Sequence, residues 1–314
     1  MKGVSFLKCI FIYNPVSGRG VVDSDLGYVI KMLHKKYDRV DVCESKSPDD
    51  VTNIARNACL EYDAIIFSGG DGTFNDIARG VASQSVRPPL GYIPTGTAND
   101  NARNLGIKRN VKKAVKTIIS GKTIKHDVGM INDDYFMYAL AMGACTKTPY
   151  TTEHKAKKIL GRLAYVTNGI NEFFTTPLSF VKVVTENDSL DIECPLLLVM
   201  NSKSVGGISF NRYGHLNDGT FDIIIIKDDT SKGRINILST FIYGLFGKKW
   251  KKGAIFLTSS EFTIDVPDDV TWCVDGQKGP NGKITVKNLK GHLEIFVPKG
   301  KKKGEKDVWS KRCP

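Results

Sequence analysis

The stretch Phe67–Gly80, FSGGDGTFNDIARG, places three glycines and an aspartate where an apolar run gives way to a helical pattern. Glycine lets the backbone turn sharply and approach a ligand closely. The N-terminus of a helix favours negative charge. The succession of strand, glycine turn and helix therefore predicts a phosphate cradle, with the helix opening at Thr73. The residues of this cradle are Gly69, Gly70, Asp71, Gly72 and Thr73.

Asp71 stands out in this cradle because a carboxylate repels phosphate. Its presence is explained if a divalent cation lies between the two, since magnesium is usually held by one or two carboxylates and the phosphates of a substrate. In the competing interpretation, the loop is a tight turn and Asp71 caps the helix. The loop matches neither G-x-x-x-x-G-K-[ST] nor G-x-G-x-x-G, so on its own it leaves both interpretations open.

Two more loops follow predicted strands. Asn14–Gly20, NPVSGRG, offers small and polar contacts for a nucleotide, and its arginine could pair with phosphate. Pro94–Asp100, PTGTAND, offers two threonine hydroxyls and the carboxylate of Asp100. Each loop could be a simple turn or helix cap, because Asn-Pro starts turns and Thr97 suits a cap. Three such loops at one edge of a sheet favour a nucleotide site.

The elements that must position these loops alternate along the first part of the chain. We predict strands at 8–13, 39–43, 63–67, 90–93 and 123–129, and helices at 22–36, 48–60, 73–83 and 98–120. This alternation predicts an α/β domain with a parallel sheet, in which ligands bind beyond the carboxyl ends of the strands. From about residue 130, short strand-like runs separated by turn signals predict an all-β, sandwich-like domain. Two helical patterns, at 158–174 and 232–246, interrupt those runs.

Composition limits the class of protein and its partners. The 314 residues carry a net charge of +12, which suggests an acidic partner such as nucleic acid, an anionic membrane or a phosphate-rich ligand. No nucleic-acid-binding motif is recognisable, so we expect no nucleic acid. The seven cysteines are scattered, no signal peptide is evident, and no apolar run approaches a spanning helix, which predicts a cytoplasmic protein.

One basic segment favours contact with a membrane surface. GKKWKK at 247–252 follows the apolar run 242–246, and tryptophan and lysines beside apolar residues suit a bilayer interface. The alternative is a helix end with a solvated run of charge. We expect peripheral, electrostatic membrane association.

The sequence resembles the diacylglycerol kinase catalytic-domain family, and specifically its soluble bacterial lipid kinases. The stretches that carry the resemblance are NPVSGRG, GGDGTFNDIARG, PTGTANDNARNLGI, HDVGMIN, LNDGTFDIIII and VDGQKGP. They span nearly the whole chain. GGDGT alone also occurs in NAD kinases, whereas GTANDNARNLGI is similar to the lipid kinases only.

The resemblance implies an ATP-binding α/β domain over 1–128, a β-sandwich lipid-substrate domain over 129–296, and a basic C-terminal segment, 297–314, that returns to the first domain. The active site would lie in the cleft between the domains, and a homodimer is a further expectation. ATP and Mg²⁺ would be the cofactors. The implied nucleotide contacts are Asn14, Pro15, Val16, Ser17, Gly18, Cys43, the five cradle residues, Thr97 and Asp100.

The resemblance also assigns acidic and metal-binding roles. Asp71, Asp100 and Asp127 match the family's acidic network around a catalytic magnesium ion. A second, structural metal site matches His215, Asp218 and Thr220, of which the outer two would give backbone carbonyls.

The chain departs from the family pattern at Asp76, where glutamate is common, at Asn101, where phenylalanine is usual, and at Gln277. Gln277 follows Asp275-Gly276, where the family has an acid, and glutamine cannot take a proton. We expect Asp275 to take the proton from a lipid hydroxyl, with Gln277 shaping the site. Diacylglycerol is the leading substrate, with a sphingoid base or an undecaprenol-like alcohol next. The alternatives are a catalytically silent nucleotide-binding protein and an NAD kinase.

Overall fold

The structure is a computed structural model that describes residues 6–15, 23–143, 176–203, 211, 214–227 and 254–299. Strands and helices alternate over residues 8–131. The strands are β1 (Lys8–Tyr13), β2 (Arg39–Glu44), β3 (Ala64–Gly69), β4 (Leu90–Pro94) and β5 (Thr123–Ile131). The helices are α1 (Asp23–Leu33), α2 (Pro48–Ala58), α3 (Asp71–Ala82), α4 (Asp100–Asn104) and α5 (Val111–Ser120).

The described residues that follow are strands and connections. The strands are β6 (Asp134–Phe136), β7 (Ala139–Gly143), β8 (Ser179–Thr185), β9 (Ser189–Cys194), β10 (Leu196–Met200), β11 (Phe221–Ile226), β12 (Ala254–Ser259), β13 (Glu261–Asp265), β14 (Thr271–Val274), β15 (Gln277–Asn281) and β16 (Ile284–Phe296). The predicted fold class, an α/β region followed by a region of β-strands, is confirmed.

The first four strands form the predicted parallel arrangement, in the order β2-β1-β3-β4. Every residue of β3 and β4 is buried, as expected of strands covered on both faces. The fifth predicted strand behaves differently. After β5 the chain turns back through Asn132, whose φ is 50°, into β6, and β5 pairs antiparallel with both β6 and β16.

The helix predicted over 98–120 is two helices in the structure. α4 ends at Asn104, and Gly106 then adopts a φ of 69° that an α-helix does not contain. α5 starts afresh with Asn110 as its N-cap, whose side chain accepts a hydrogen bond from the amide of Lys113. The break leaves α4 as a short helix that directly follows the Pro94–Asn99 loop.

Two sheets sandwich a second core. Among the described residues, β12-β11-β10-β7-β14-β15 form an antiparallel sheet, and the other strands join β1–β4 in a mixed sheet of ten. Trp272, Phe136, Phe221 and Phe262 fill the space between the sheets, with Phe136 and Phe221 stacked at a centroid separation of 5.3 Å. A separate core of β1, β3, β4 and their helices lies under the predicted nucleotide loops.

The mixed sheet crosses the predicted boundary between the two regions. β16 pairs antiparallel with β5 along most of its length and parallel with β4 at Ile295 and Leu90. Beyond β16, the amide of Val297 donates to Lys122 O at 2.9 Å. The boundary drawn after residue 128 falls inside β5. The domain boundaries themselves stay a prediction.

Several predicted features lie outside the described residues: the helices at 158–174 and 232–246, the basic segment at 247–252, and residues 300–314 of the C-terminal segment. Within the part of the chain that is described, no helix has the length and apolar character needed to cross a membrane.

Candidate active site

The four parallel strands bring the predicted nucleotide loops to one edge of the mixed sheet. Tyr13 at the end of β1 lies opposite Glu44 at the end of β2, and Gly69 at the end of β3 lies opposite Pro94 at the end of β4. Asn14 and Pro15, Cys43, the glycine cradle, and Thr97 in the loop after β4 therefore all belong to this edge. Val16, Ser17 and Gly18 lie outside the described residues.

Two of these loops are in direct backbone contact. A Cβ atom added at Gly96 would lie only 2.4 Å from Gly70 Cα, so only glycine fits there without displacing a neighbour. The amides of Thr95 and Gly96 both donate to Gly69 O, at 2.9 and 3.2 Å. The Gly69–Thr73 cradle and the Pro94–Asn99 loop are thus one rigid unit.

Side chains below the loops fix this unit in place. Phe67, Phe74 and Tyr92 form an aromatic cluster with centroid separations of 5.1–5.7 Å. The Tyr92 hydroxyl lies 3.3 Å from Gly69 O and 3.1 Å from Asn99 Oδ1. Asn99, at a φ of 52°, accepts from the Gly96 amide and donates to Gly96 O at 2.6 Å. The side chain of Asn99 thereby closes the loop on itself.

Asp71 is the first residue of α3, and Gly70 rather than Asp71 is the N-cap. The helix therefore opens two residues before the predicted start at Thr73. The first amide that bonds within the helix is that of Phe74, which leaves the preceding amides directed out of the helix end. Asp71 is half-buried, and its Oδ1 accepts a hydrogen bond from the Asn101 amide at 2.9 Å. This bond joins α3 to α4.

The charges of three carboxylates from different elements act on one buried phenol, that of Tyr138. Burial raises the pKa of Tyr138 well above its usual value, and the charges of Asp275, Asp71 and Asp100 raise it further. Asp100 is itself buried, and its Oδ1 lies 2.5 Å from Arg103 Nη1. Asp275, the predicted base, is hydrogen-bonded to Tyr138, and Asp71 and Asp100 are near enough for their charges to act on the same phenol.

Asp275 occupies a two-residue hairpin turn. Asp275 and Gly276 have φ values of 51° and 83°, and Val274 pairs with Gln277 across the turn, as an Asp-Gly pair between strands predicts. The carboxylate is buried and accepts hydrogen bonds from the amides of Met137, Tyr138 and Ala139 at 2.6, 2.9 and 3.0 Å. Burial raises the pKa of Asp275 to about 6, although the three amide bonds act to lower it.

Gln277 is exposed at the start of β15. It lines a cleft of about 370 Å³ with Arg79 of α3, Asp134 of β6 and Lys278. Arg79 Nε lies 2.9 Å from Asp134 Oδ1, so an ion pair forms part of this wall. The cleft runs beside the Asp275 turn.

The predicted metal residues gather at a second place. Both oxygens of Asp127 accept backbone hydrogen bonds at 2.7 Å, Oδ2 from Gly219 and Oδ1 from Gly291. Burial raises the pKa of Asp127, and the nearby charge of Asp218 raises it further. Asp218 Oδ1 accepts from the amide and the hydroxyl of Thr220, and the half-buried His215 precedes this loop. The described residues contain no group of three or more metal-ligating side chains.

Two residues of the site, Tyr138 and Arg109, were not predicted from the sequence. Tyr138 lies in an apolar run of the sequence, and only the fold brings it into contact with Asp275 and within reach of the charges of Asp71 and Asp100. Arg109 follows α4, and its Nη2 donates to Gly96 O at 3.2 Å and to Thr97 O at 2.6 Å. A cation is thus hydrogen-bonded to the loop that was predicted to contact the nucleotide.

The fold is that of known kinase structures. A crystal structure of a diacylglycerol kinase from Bacillus anthracis (strain Sterne) aligns with a TM-score of 0.75 at 22% identity, covering 93% of this chain and 97% of the other. A second crystal structure from the same organism aligns with a TM-score of 0.81 at 24% identity and the same coverage.

Sequence comparison defines the family. The family model described as "Diacylglycerol kinase catalytic domain" matches residues 8–131. The diacylglycerol kinase of Bacillus subtilis (strain 168) is 32% identical over 293 residues, which are 92% of this chain and 96% of the relative. The diacylglycerol kinase of Staphylococcus epidermidis (strain RP62A) is 32% identical over 292 residues, with coverage of 92% and 91%. The chain belongs to the diacylglycerol kinase family, so the predicted family is confirmed.

The contact between Gly70 and Gly96 yields a first prediction. Gly96→Ala should lower both the thermal midpoint and the affinity for ATP, because its Cβ must push the two loops apart, and such overpacking typically costs 1–3 kcal/mol. Gly72→Ala is the control for stability, since a Cβ at Gly72 meets nothing within 4 Å. Thermal melts and ATP titration measure the two effects. An unchanged midpoint in Gly96→Ala would contradict the account of the loop contact.

Asp76 yields a second prediction. It is buried in α3, and burial raises the pKa of its carboxyl to about 6. Because the folded protein holds this proton more tightly than the unfolded chain, stability should fall as pH rises from about 4 to about 6, by roughly 2 kcal/mol.

The test of this pH dependence compares Asp76→Asn with wild type in thermal melts at pH 4.5 and 7.5. Relative to wild type, the midpoint of the variant should be higher at pH 7.5 than at pH 4.5. Asp188→Asn, at an exposed turn, is the matched control and should show no such difference. A difference in midpoint that does not change with pH would show that Asp76 stays ionised in the fold.

Proposed function

We propose that this protein is an ATP-dependent lipid kinase that transfers the γ-phosphoryl group to a lipid hydroxyl, with diacylglycerol as the leading substrate and phosphatidic acid as the product. The observation that carries the proposal is Asp71, a carboxylate on the first turn of α3 where two glycine loops touch. The family supports the same chemistry, because relatives that span this chain are named diacylglycerol kinase.

Phosphoryl transfer requires positioning and charge stabilisation more than covalent chemistry. The glycines let the backbone approach the phosphates. The amides at the start of α3, which precede the first helical hydrogen bond, would stabilise the negative charge of those phosphates. Arg109 adds a guanidinium whose position is fixed by two carbonyl groups of the neighbouring loop. These groups would hold ATP in place for attack by a hydroxyl.

The donor set fits a magnesium ion at Asp71. One of its oxygens accepts the Asn101 amide, and the other accepts no hydrogen bond from the residues that the structure describes. One carboxylate together with substrate phosphates is a usual magnesium environment, and the ion would offset the charge of the phosphates. For a second ion, Asp218 with the backbone carbonyls of His215 and Thr220 is a better set of ligands than Asp127. Both carboxylate oxygens of Asp127 already accept hydrogen bonds from backbone amides.

Gln277 motivates the second candidate, a silent nucleotide-binding protein. A general base typically contributes 10²–10⁴-fold, so its loss would slow a kinase strongly. We favour the active enzyme because the loop unit and its carboxylates are intact and because phosphoryl transfer has a loose transition state. Sphingoid bases, undecaprenol-like alcohols and NAD are the substrates to compare with diacylglycerol.

Peripheral membrane association is part of the proposal, since a lipid substrate resides in a membrane and the chain carries a net charge of +12. Vesicles with anionic lipid should bind the protein at low salt and release it at high salt, because charges are screened within about 10 Å at 0.1 M. Flotation measures this binding, and equal binding to neutral vesicles would contradict it. A cytoplasmic location and a homodimer remain predictions; light scattering would test the latter.

Asp71→Asn should reduce phosphoryl transfer at least a hundredfold, within the range that a lost electrostatic group typically costs. The thermal midpoint should change little, because Asp71 is the first residue of α3 and is only half-buried. Labelled ATP with diacylglycerol, a sphingoid base, undecaprenol and NAD reports where the phosphate goes.

The matched control for Asp71→Asn is Asp49→Asn, which removes an exposed aspartate from the first turn of another helix, α2. This control should keep full activity. Near-wild-type turnover in Asp71→Asn, or label in none of the lipids with the wild-type protein, would overturn the proposal.

A further inference from the structure

The carboxylate of Asp275 joins the β14–β15 turn to the segment where the chain passes from the mixed sheet to the antiparallel sheet. The three amides from which it accepts hydrogen bonds are those of Met137 and Tyr138, between β6 and β7, and of Ala139, the first residue of β7. The bonds run in both directions: the amide of Asp275 donates to Ala139 O and the Tyr138 hydroxyl donates to Asp275 O, each at 2.9 Å. Five hydrogen bonds therefore join one turn residue to three consecutive residues of another segment.

The segment at 137–139 is also held from its other side. Asn201 donates through Nδ2 to Met137 O at 3.1 Å and to Asp127 O at 2.9 Å, and its amide donates to Tyr138 O at 3.0 Å. Asn201 and Asp275 thus fix the same short segment between them. The segment carries Tyr138, the phenol that the charges of Asp71 and Asp100 reach.

This arrangement suits Asp275 poorly for proton transfer. A carboxylate offers about four lone-pair positions, and the three amides occupy three of them. The side chain is buried, with 7% of the residue exposed. A substrate hydroxyl would have to reach the one remaining position, on Oδ2, inside this buried site. Taking a proton there would also weaken the three amide bonds, because a hydrogen bond to a charged group contributes about 1.5–3 kcal/mol and protonation removes the charge.

We propose that Asp275 is a positioning residue, which holds the β14–β15 hairpin against residues 137–139 and so fixes the position of Gln277 and of the cleft that Gln277 lines. The inference rests on the proposed kinase function, and it assigns Asp275 a role other than the base expected from the sequence. Gly276 packs at the same place, because a Cβ there would lie 3.4 Å from the Tyr138 hydroxyl, an ordinary van der Waals distance.

Two substitutions separate positioning from proton transfer. Asp275→Asn keeps an oxygen that can accept the amides of Tyr138 and Ala139, and asparagine tolerates the positive φ. Asp275→Gly also tolerates that φ but removes all three bonds. Neither variant can act as a base. The comparison therefore varies the clamp while the loss of the acid is held constant.

Positioning predicts that the kcat/KM of Asp275→Asn with diacylglycerol stays within about tenfold of wild type, while Asp275→Gly falls at least tenfold below Asp275→Asn. The acidic limb of the kcat profile against pH should persist in Asp275→Asn. A base would instead give two equally impaired variants, each down by roughly 10²–10⁴-fold. Equal impairment would overturn the proposal.

Amide hydrogen exchange at residues 137–139 gives a readout that does not depend on activity. Exchange at these amides should be faster in Asp275→Gly than in wild type, with Asp275→Asn between them. Unchanged exchange in Asp275→Gly would overturn the proposal whether or not the variants are active. If wild type phosphorylates no lipid, the kinase proposal fails, and the exchange rates still decide whether the clamp exists.

Discussion

The contact between Gly70 and Gly96 is the constraint on which the rest of the site depends. The loops after β3 and β4 approach so closely that a Cβ at Gly96 would lie 2.4 Å from a backbone carbon. Asn99, Tyr92 and the Gly69 carbonyl hold them at that separation. Because both loops then move as one unit, the start of α3, Asp71 and the Asp100 region face the same space. If the two loops could separate, the start of α3, Asp71 and Asp100 would not keep the fixed relative positions that binding a phosphate requires.

Buried carboxylates that accept backbone amides join the strands around this unit. Asp127 ties β5 to Gly219 and Gly291, and Asp275 ties the β14–β15 turn to the start of β7. Burying a carboxylate is unfavourable unless donors surround it, and in both places backbone amides are those donors. An aspartate close to the candidate site can therefore have a structural role instead of a catalytic one. Its hydrogen-bond partners indicate which of the two roles it has.

The sequence alone predicted the buried strands β1, β3 and β4 closely, because continuous apolar runs bounded by turns have few other interpretations. β15, QKGPN, has no apolar pattern that would predict a strand, and it forms because the Asp275-Gly276 turn returns the chain beside β14. The pairing of β16 with both β4 and β5 depends on contacts far apart in the chain. For the same reason, the motifs located Asp71 and Asp275, but the three amides that bond to Asp275 and the surroundings of Tyr138 could be found only from the fold.

The central claim is that the glycine cradle and the Pro94–Asn99 loop form one nucleotide site. Hydrogen–deuterium exchange across a titration of ATP tests this claim most directly. We predict that peptides covering 69–74 and 94–101 gain protection together, with one midpoint of ATP concentration, while β12 at the far edge of the second sheet is unaffected. Protection of only one loop, or different midpoints for the two, would contradict the account.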